Sequence, residues 1–214
     1  MALLTGFLIV VLLLTDIALL GFCSLQVGIR LVALQGILLG AVTVLVNLDS
    51  FNLHVLVLAL ASVGLKGFVF PVLLSRAIRD VGVRQEIEPF LGVGSSLFFG
   101  IGMMGVASWL GDRIPIFTGE SHPILMSGAL MTLFTGLFLI VARKKALTQA
   151  LGYLVFESGI YTMAIAVTGQ IPELVEVGLL LDAFVAVYVM GIAILQINRA
   201  FEHMDVDQFN TLKG

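Results

Sequence analysis

LLTGFLIVVLLLTDIALLGFC, from Leu3 to Cys23, is apolar on every face of a helix drawn through it except for one acid, Asp16. An α-helix needs about 20 such residues to cross a bilayer, and this run supplies them. No basic segment precedes it and its apolar part is nearly a full span, so it is expected to stay in the protein as a first helix, not to be removed as a secretory signal. The same pattern repeats at Leu31 to Leu48, Leu53 to Ser75, Leu91 to Gly111, Pro123 to Ala142, Leu147 to Thr168 and Pro172 to Asn198, which makes seven stretches. The breaks between them are turn formers, as in Asn47-Leu48-Asp49-Ser50 and Gly119-Glu120-Ser121-His122-Pro123. In hydrocarbon the backbone must satisfy its own hydrogen bonds, and a β-barrel would alternate in polarity over segments of about ten residues. These runs do not alternate, so the expected class is an all-α integral membrane protein with seven transmembrane helices.

Composition excludes most other classes. The 214 residues are 59% hydrophobic and 12% charged, against about 25% charged in a soluble domain. With seven spans in this length, nothing is left for a water-soluble domain, and residues 1–214 form a single membrane domain. The lone cysteine, Cys23, cannot supply the roughly four ligands of an iron–sulfur cluster or a thiolate zinc site. A net charge of -3 with 11 Lys and Arg gives no basic surface for nucleic acid. No catalytic triad, metal-ligand cluster or phosphate-binding loop can be assembled, so the chain is expected to be non-catalytic and to carry no cofactor. Gly92-Val93-Gly94 and Gly100-Ile101-Gly102 read as sites where helices pack closely. His54, His122 and His203 fall at or beyond helix ends, where interfacial hydrogen bonding is the plain role.

The basic residues set an orientation. If seven spans alternate, Arg30, then Arg76, Arg79 and Arg84, then Arg143, Lys144 and Lys145, then Arg199 and Lys213 all lie on one side, with Arg113 on the other. Basic loops stay in the cytoplasm, so the N-terminus is expected outside and the C-terminus inside. The charged stretch from Arg76 to Pro89 then forms a cytoplasmic loop with a short extension of the third helix.

The informative residues are the charges within the spans, because each costs at least about 2.5 kcal/mol at mid-span unless it faces protein or water. Asp16 lies in the first span, Lys66 past the middle of the third, Glu157 at the middle of the sixth and Asp182 in the seventh, with Glu176 one turn inside the outer end of that last helix. Proton conduction needs buried groups that gain and lose a proton at modest cost, and these five are the candidates for a proton path. The competing role is static: Lys66 paired with one of the acids to fix helix packing.

An internal comparison divides the chain. Lys66-Gly67-Phe68-Val69 lines up with Asp182-Ala183-Phe184-Val185, and Gln35 falls near Glu157 in the same alignment. Residues 1–80 and 123–200 are then two diverged three-helix groups, with a connecting helix at 90–112 and a cytoplasmic tail at 201–214. Equivalent depth and opposite charge make Asp182 the expected partner of Lys66.

Ala150-Leu151-Gly152-Tyr153-Leu154-Val155-Phe156-Glu157-Ser158-Gly159-Ile160, with Pro172-Glu173-Leu174-Val175-Glu176 and Asp182 beyond it, resembles membrane component E of hydrogenase-4 and formate hydrogenlyase complexes. Lys66-Gly67-Phe68 with Pro71, and the tail from Met204 to Asp207 and from Leu212 to Gly214, are also similar to that family. More distantly, each three-helix group resembles the K-type subunit of respiratory complex I and the C-type subunit of multisubunit sodium/proton antiporters. That subunit carries a glutamate in its second helix, which Glu157 matches, and one in its third, to which Asp182 corresponds approximately. The first half departs, with Gln35 and Lys66 at those places. The resemblance implies a non-catalytic membrane subunit of a group 4 nickel–iron hydrogenase complex in a bacterial or archaeal cytoplasmic (inner) membrane. Its implied partners are antiporter-like subunits, an H-type anchor subunit and, through them, a cytoplasmic hydrogenase module. The alternative is a self-contained small ion transporter or channel. Such a carrier is expected to show a helix broken by Gly or Pro at the midplane, whereas Pro71, the only proline well inside a span, sits near one end of it.

Overall fold

The structure, a computed structural model, describes residues 2–21, 24–46, 53–81, 92–114, 123–143 and 146–168, together with Gly191. The stretch from Pro172 to Asn198, and with it Glu176 and Asp182, lies outside the described residues. Every described element is helical: α1 (Ala2–Gly21), α2 (Leu25–Val46), α3 (Leu53–Ser62), a π-helical segment (Val63–Val69), α4 (Phe70–Val81), α5 (Val93–Gly111), α6 (Pro123–Ala142) and α7 (Ala146–Thr168). Six helical spans among the described residues are long and apolar enough to cross a membrane, which fits the all-α membrane class. The third expected span is α3, the π-helical segment and α4 in continuous succession, and its helix runs on through Arg76 and Arg79 to Val81.

Lipid is as apolar as leucine, so an outward face is not marked by polarity and the inward face is marked by small and polar residues. In α1, Leu3, Phe7, Val10 and Leu14 recur at helical spacing and are exposed, while Leu12, Thr15, Asp16, Leu19 and Leu20 are buried. In α2, Val27, Leu34 and Ile37 are exposed, while Ile29, Val32, Gln35, Leu39 and Val42 are buried.

The most extensive contact joins α6 to α7, with α1 against α6, and α2 against α1, α7 and the π-helical segment. Glycine makes the α6–α7 approach possible. A Cβ on Gly136 would run into the backbone of Phe156, one on Gly159 into that of Leu133, and one on Gly152 would come 2.8 Å from the Ile140 nitrogen. These pairings fix an antiparallel register, as the short connection between the two helices requires. The π-helical segment also sits against a glycine: a Cβ on Gly36 would lie 2.5 Å from the Cβ of Lys66. Pro71 follows just beyond this segment, after Phe70. Its ring removes a backbone N–H and crowds the carbonyl one turn back, a recognised cause of irregular turns within helices.

The glycines expected to pack closely in α5 divide. Gly100 abuts the Leu20 side chain, but Gly94 and Gly102 meet nothing among the described residues. Much of α5 is an outer surface, with Phe98, Ile101 and Trp109 exposed. An apolar groove of about 580 Å³ runs between α5 and α6, lined by Phe98, Phe99, Met103, Phe134 and Phe138 among others.

Candidate functional site

Two clusters of polar residues stand out in the interior. In the first, the Lys66 ammonium lies 3.1 Å from Glu157 Oε1, with both side chains only 5% exposed. The π-helical segment delivers the lysine, and α7 delivers the glutamate at its midpoint. The lysine Nζ also stands 6.0 Å from the centroid of the Tyr161 ring, one turn beyond Glu157, at the outer range of a cation–π contact. The Tyr161 hydroxyl is 2.7 Å from Thr43 Oγ1, and Thr43 in turn donates to the Leu39 carbonyl at 2.8 Å. Either hydroxyl can be the donor of that pair. Glu157 Oε2 is buried and has no hydrogen-bond partner among the described residues.

In the second cluster, Asp16 of α1 is completely buried. Its Oδ1 accepts from Gln35 Nε2 at 2.7 Å, and its Oδ2 lies 2.7 Å from the Thr132 hydroxyl. Gln35 Nε2 also donates to Thr15 Oγ1 at 3.1 Å. This carboxyl is therefore held by neutral groups from α2 and α6, whereas Glu157 is held by a cation. A buried ion pair leaves each charge compensated; a buried lone carboxyl needs either strong donors or a proton.

Of the five residues expected to carry a proton path, the structure thus buries Asp16, Lys66 and Glu157 and joins the last two directly. Asp182, the expected partner of Lys66, lies outside the described residues with Glu176; within them Lys66 pairs with Glu157. Sequence reading missed Thr15, Thr43, Thr132 and Tyr161. A hydroxyl in a membrane helix commonly serves its own backbone, as Ser158 and Thr162 do here by donating four residues back. Only the third dimension distinguishes Thr132 from these.

No protein-family model matches the chain, and no solved structure matches it significantly. An uncharacterized protein of Mycobacterium tuberculosis is 27% identical over 191 residues, covering 89% of this chain and 87% of that protein. Hydrogenase-4 component E of Escherichia coli K12 is 33% identical over 102 residues, which is 48% of this chain and 46% of that protein, and the Shigella flexneri protein matches to the same extent. The chain therefore spans about half the length of the named relatives it matches. Over that half it is similar to hydrogenase-4 component E, the relative to which its own residues point.

Proposed function

We propose that this protein is a non-catalytic membrane subunit of a respiratory hydrogenase complex built on the plan of complex I, and that it contributes to a proton or sodium translocation path. It links the redox module, a cytoplasmic nickel–iron hydrogenase, to antiporter-like subunits, and it sits beside an H-type anchor subunit in a bacterial or archaeal inner membrane. In this reading the chain has seven spans with the N-terminus outside, and its two three-helix groups flank α5 as connector.

The observation that carries the proposal is the ion pair between Lys66 and Glu157, buried within helices that a membrane surrounds. Hydrophobic residues of similar volume often serve packing as well as or better than such a pair, so its presence supports a role beyond packing. The similarity to hydrogenase-4 component E supports the choice of complex. Asp16 belongs to the same path, and Asp182 and Glu176 are assigned to it by their depth in the seventh stretch.

Glu157→Gln tests the reading. The variant complex is expected to assemble, because the amide keeps the shape and leaves one acceptor for the lysine, but to lose most of the proton movement coupled to turnover in sealed vesicles. Assembly with undiminished pumping would reduce Glu157 to a packing element.

A further inference from the structure

The Asp16 cluster contains more acceptors than donors. The Thr132 hydroxyl is 2.7 Å from Asp16 Oδ2 and 3.0 Å from the Gly128 carbonyl, one turn back on α6. A hydroxyl has one proton. If it goes to Asp16, the Gly128 carbonyl loses its side-chain donor. If it goes to Gly128, the contact between the two oxygens requires a proton on Asp16. Both arrangements fit the same heavy-atom positions and differ by one proton and a rotation about the Thr132 side chain.

We propose that Asp16 is an exchangeable proton-binding site and that Thr132 is its rotary contact. When the site fills, one O–H bond forms on Oδ2, the new acid donates to Thr132 Oγ1, and the threonine proton turns to the Gly128 carbonyl. When it empties, the proton leaves, the hydroxyl turns back to the carboxylate, and no electrons are exchanged.

The surroundings favour a proton over a metal cation. Both carboxyl oxygens are already in direct hydrogen-bond contact at 2.7 Å, one with the Gln35 N–H, which points its positive end at Oδ1. Elsewhere the packed elements carry little charge. α5 and α6 contain no ionisable side chain. The only one on α2 is Arg30, which is exposed. Arg143, just past α6, donates to the Leu20 carbonyl at 3.3 Å, one turn from Asp16 on α1. Among the described residues, the hydrogen bonds to the carboxyl come from neutral groups. Two further buried oxygens, Gln35 Oε1 and Thr135 Oγ1, have no hydrogen-bond partner among the described residues. The first belongs to the amide that holds Asp16, and the second lies three residues beyond Thr132, one helical step along the same face.

The role of this site in transport rests on the proposed function; its existence does not. Infrared difference spectra of the full chain in its native membrane complex, recorded between acid and alkaline buffer, are the test. A protonated-carboxyl C=O band is expected that disappears in Asp16→Asn, shifts down in heavy water, stays in Thr132→Ser and shifts up in Thr132→Val, where the acid loses its acceptor. The Thr132 variants keep the test open if Asp16→Asn fails to fold. Absence of any Asp16-dependent band, or a band that never shifts in heavy water, overturns the proposal, as does a band whose intensity depends on sodium at fixed pH. The Glu157→Gln variant is expected to retain the band. If that variant also pumps normally, the path through Glu157 fails while the Asp16 site stands.

Discussion

At the scale of single residues, the cost of charge in hydrocarbon made Lys66, Asp16 and Glu157 legible in the sequence, and all three are buried. What the sequence could not reveal is which of them meet. Spacing between positions 66 and 157 carries no distance information, and the internal alignment favoured Asp182. The pairing that the structure does contain has a measurable consequence. Lys66→Met leaves Glu157 without its cation, and breaking one side of a buried pair costs about 3–5 kcal/mol. The single variant is therefore expected to assemble poorly, with Glu157→Gln milder. The double variant is expected to lose less than the two single losses combined, by about 0.5–3 kcal/mol as for residues in contact. Yield and thermal midpoint of the purified complex provide the readout, and additive losses would mean that the pair is not coupled in the membrane.

Elements were legible as lengths and not as surfaces. Six of the seven apolar runs coincide with described helical spans to within a few residues, except that the second helix begins earlier, at Leu25, and the third runs further, to Val81. Which glycines pack could not be read, because every face of these helices is apolar. In α5, Gly94 and Gly102 meet nothing among the described residues, while on α6 and α7 Gly136, Gly152 and Gly159 let two backbones touch. The π-helical segment was also hidden. Gly64, Gly67 and Pro71 mark the place in the sequence, but a run without polar contrast shows no change of phase. A valine separates the two kinds of glycine: overpacking costs about 1–3 kcal/mol where side chains can shift. Gly136→Val, whose methyls would meet backbone, is expected at or above the top of that range, and Gly94→Val near zero apart from the lost glycine. Thermal unfolding in detergent, followed by helical signal, ranks them; equal midpoints would contradict the α6–α7 register.

For the whole molecule, the one-sided distribution of basic residues remains the guide to orientation. Cysteine labelling with a membrane-impermeant reagent, at Thr118 and at Thr211 in a background lacking Cys23, is expected to modify the first from outside and the second only after the membrane is opened. Labelling of both from one side would contradict seven alternating spans. The groove between α5 and α6 belongs to this scale too, being apolar along its length and open to whatever surrounds the bundle. The interior is held together by contacts far apart in the chain: Asp16 with Thr132, Thr43 with Tyr161, Lys66 with Glu157. Synthesis therefore imposes an order. At about 5–20 residues per second, Lys66 emerges from the ribosome roughly five to twenty seconds before Glu157 does. During that interval the lysine resides among half-made helices with its carboxylate still untranslated, and Asp16 waits longer for Thr132. The first helices are thus born electrically unfinished, and the last described ones to be made are those that let them remain in oil.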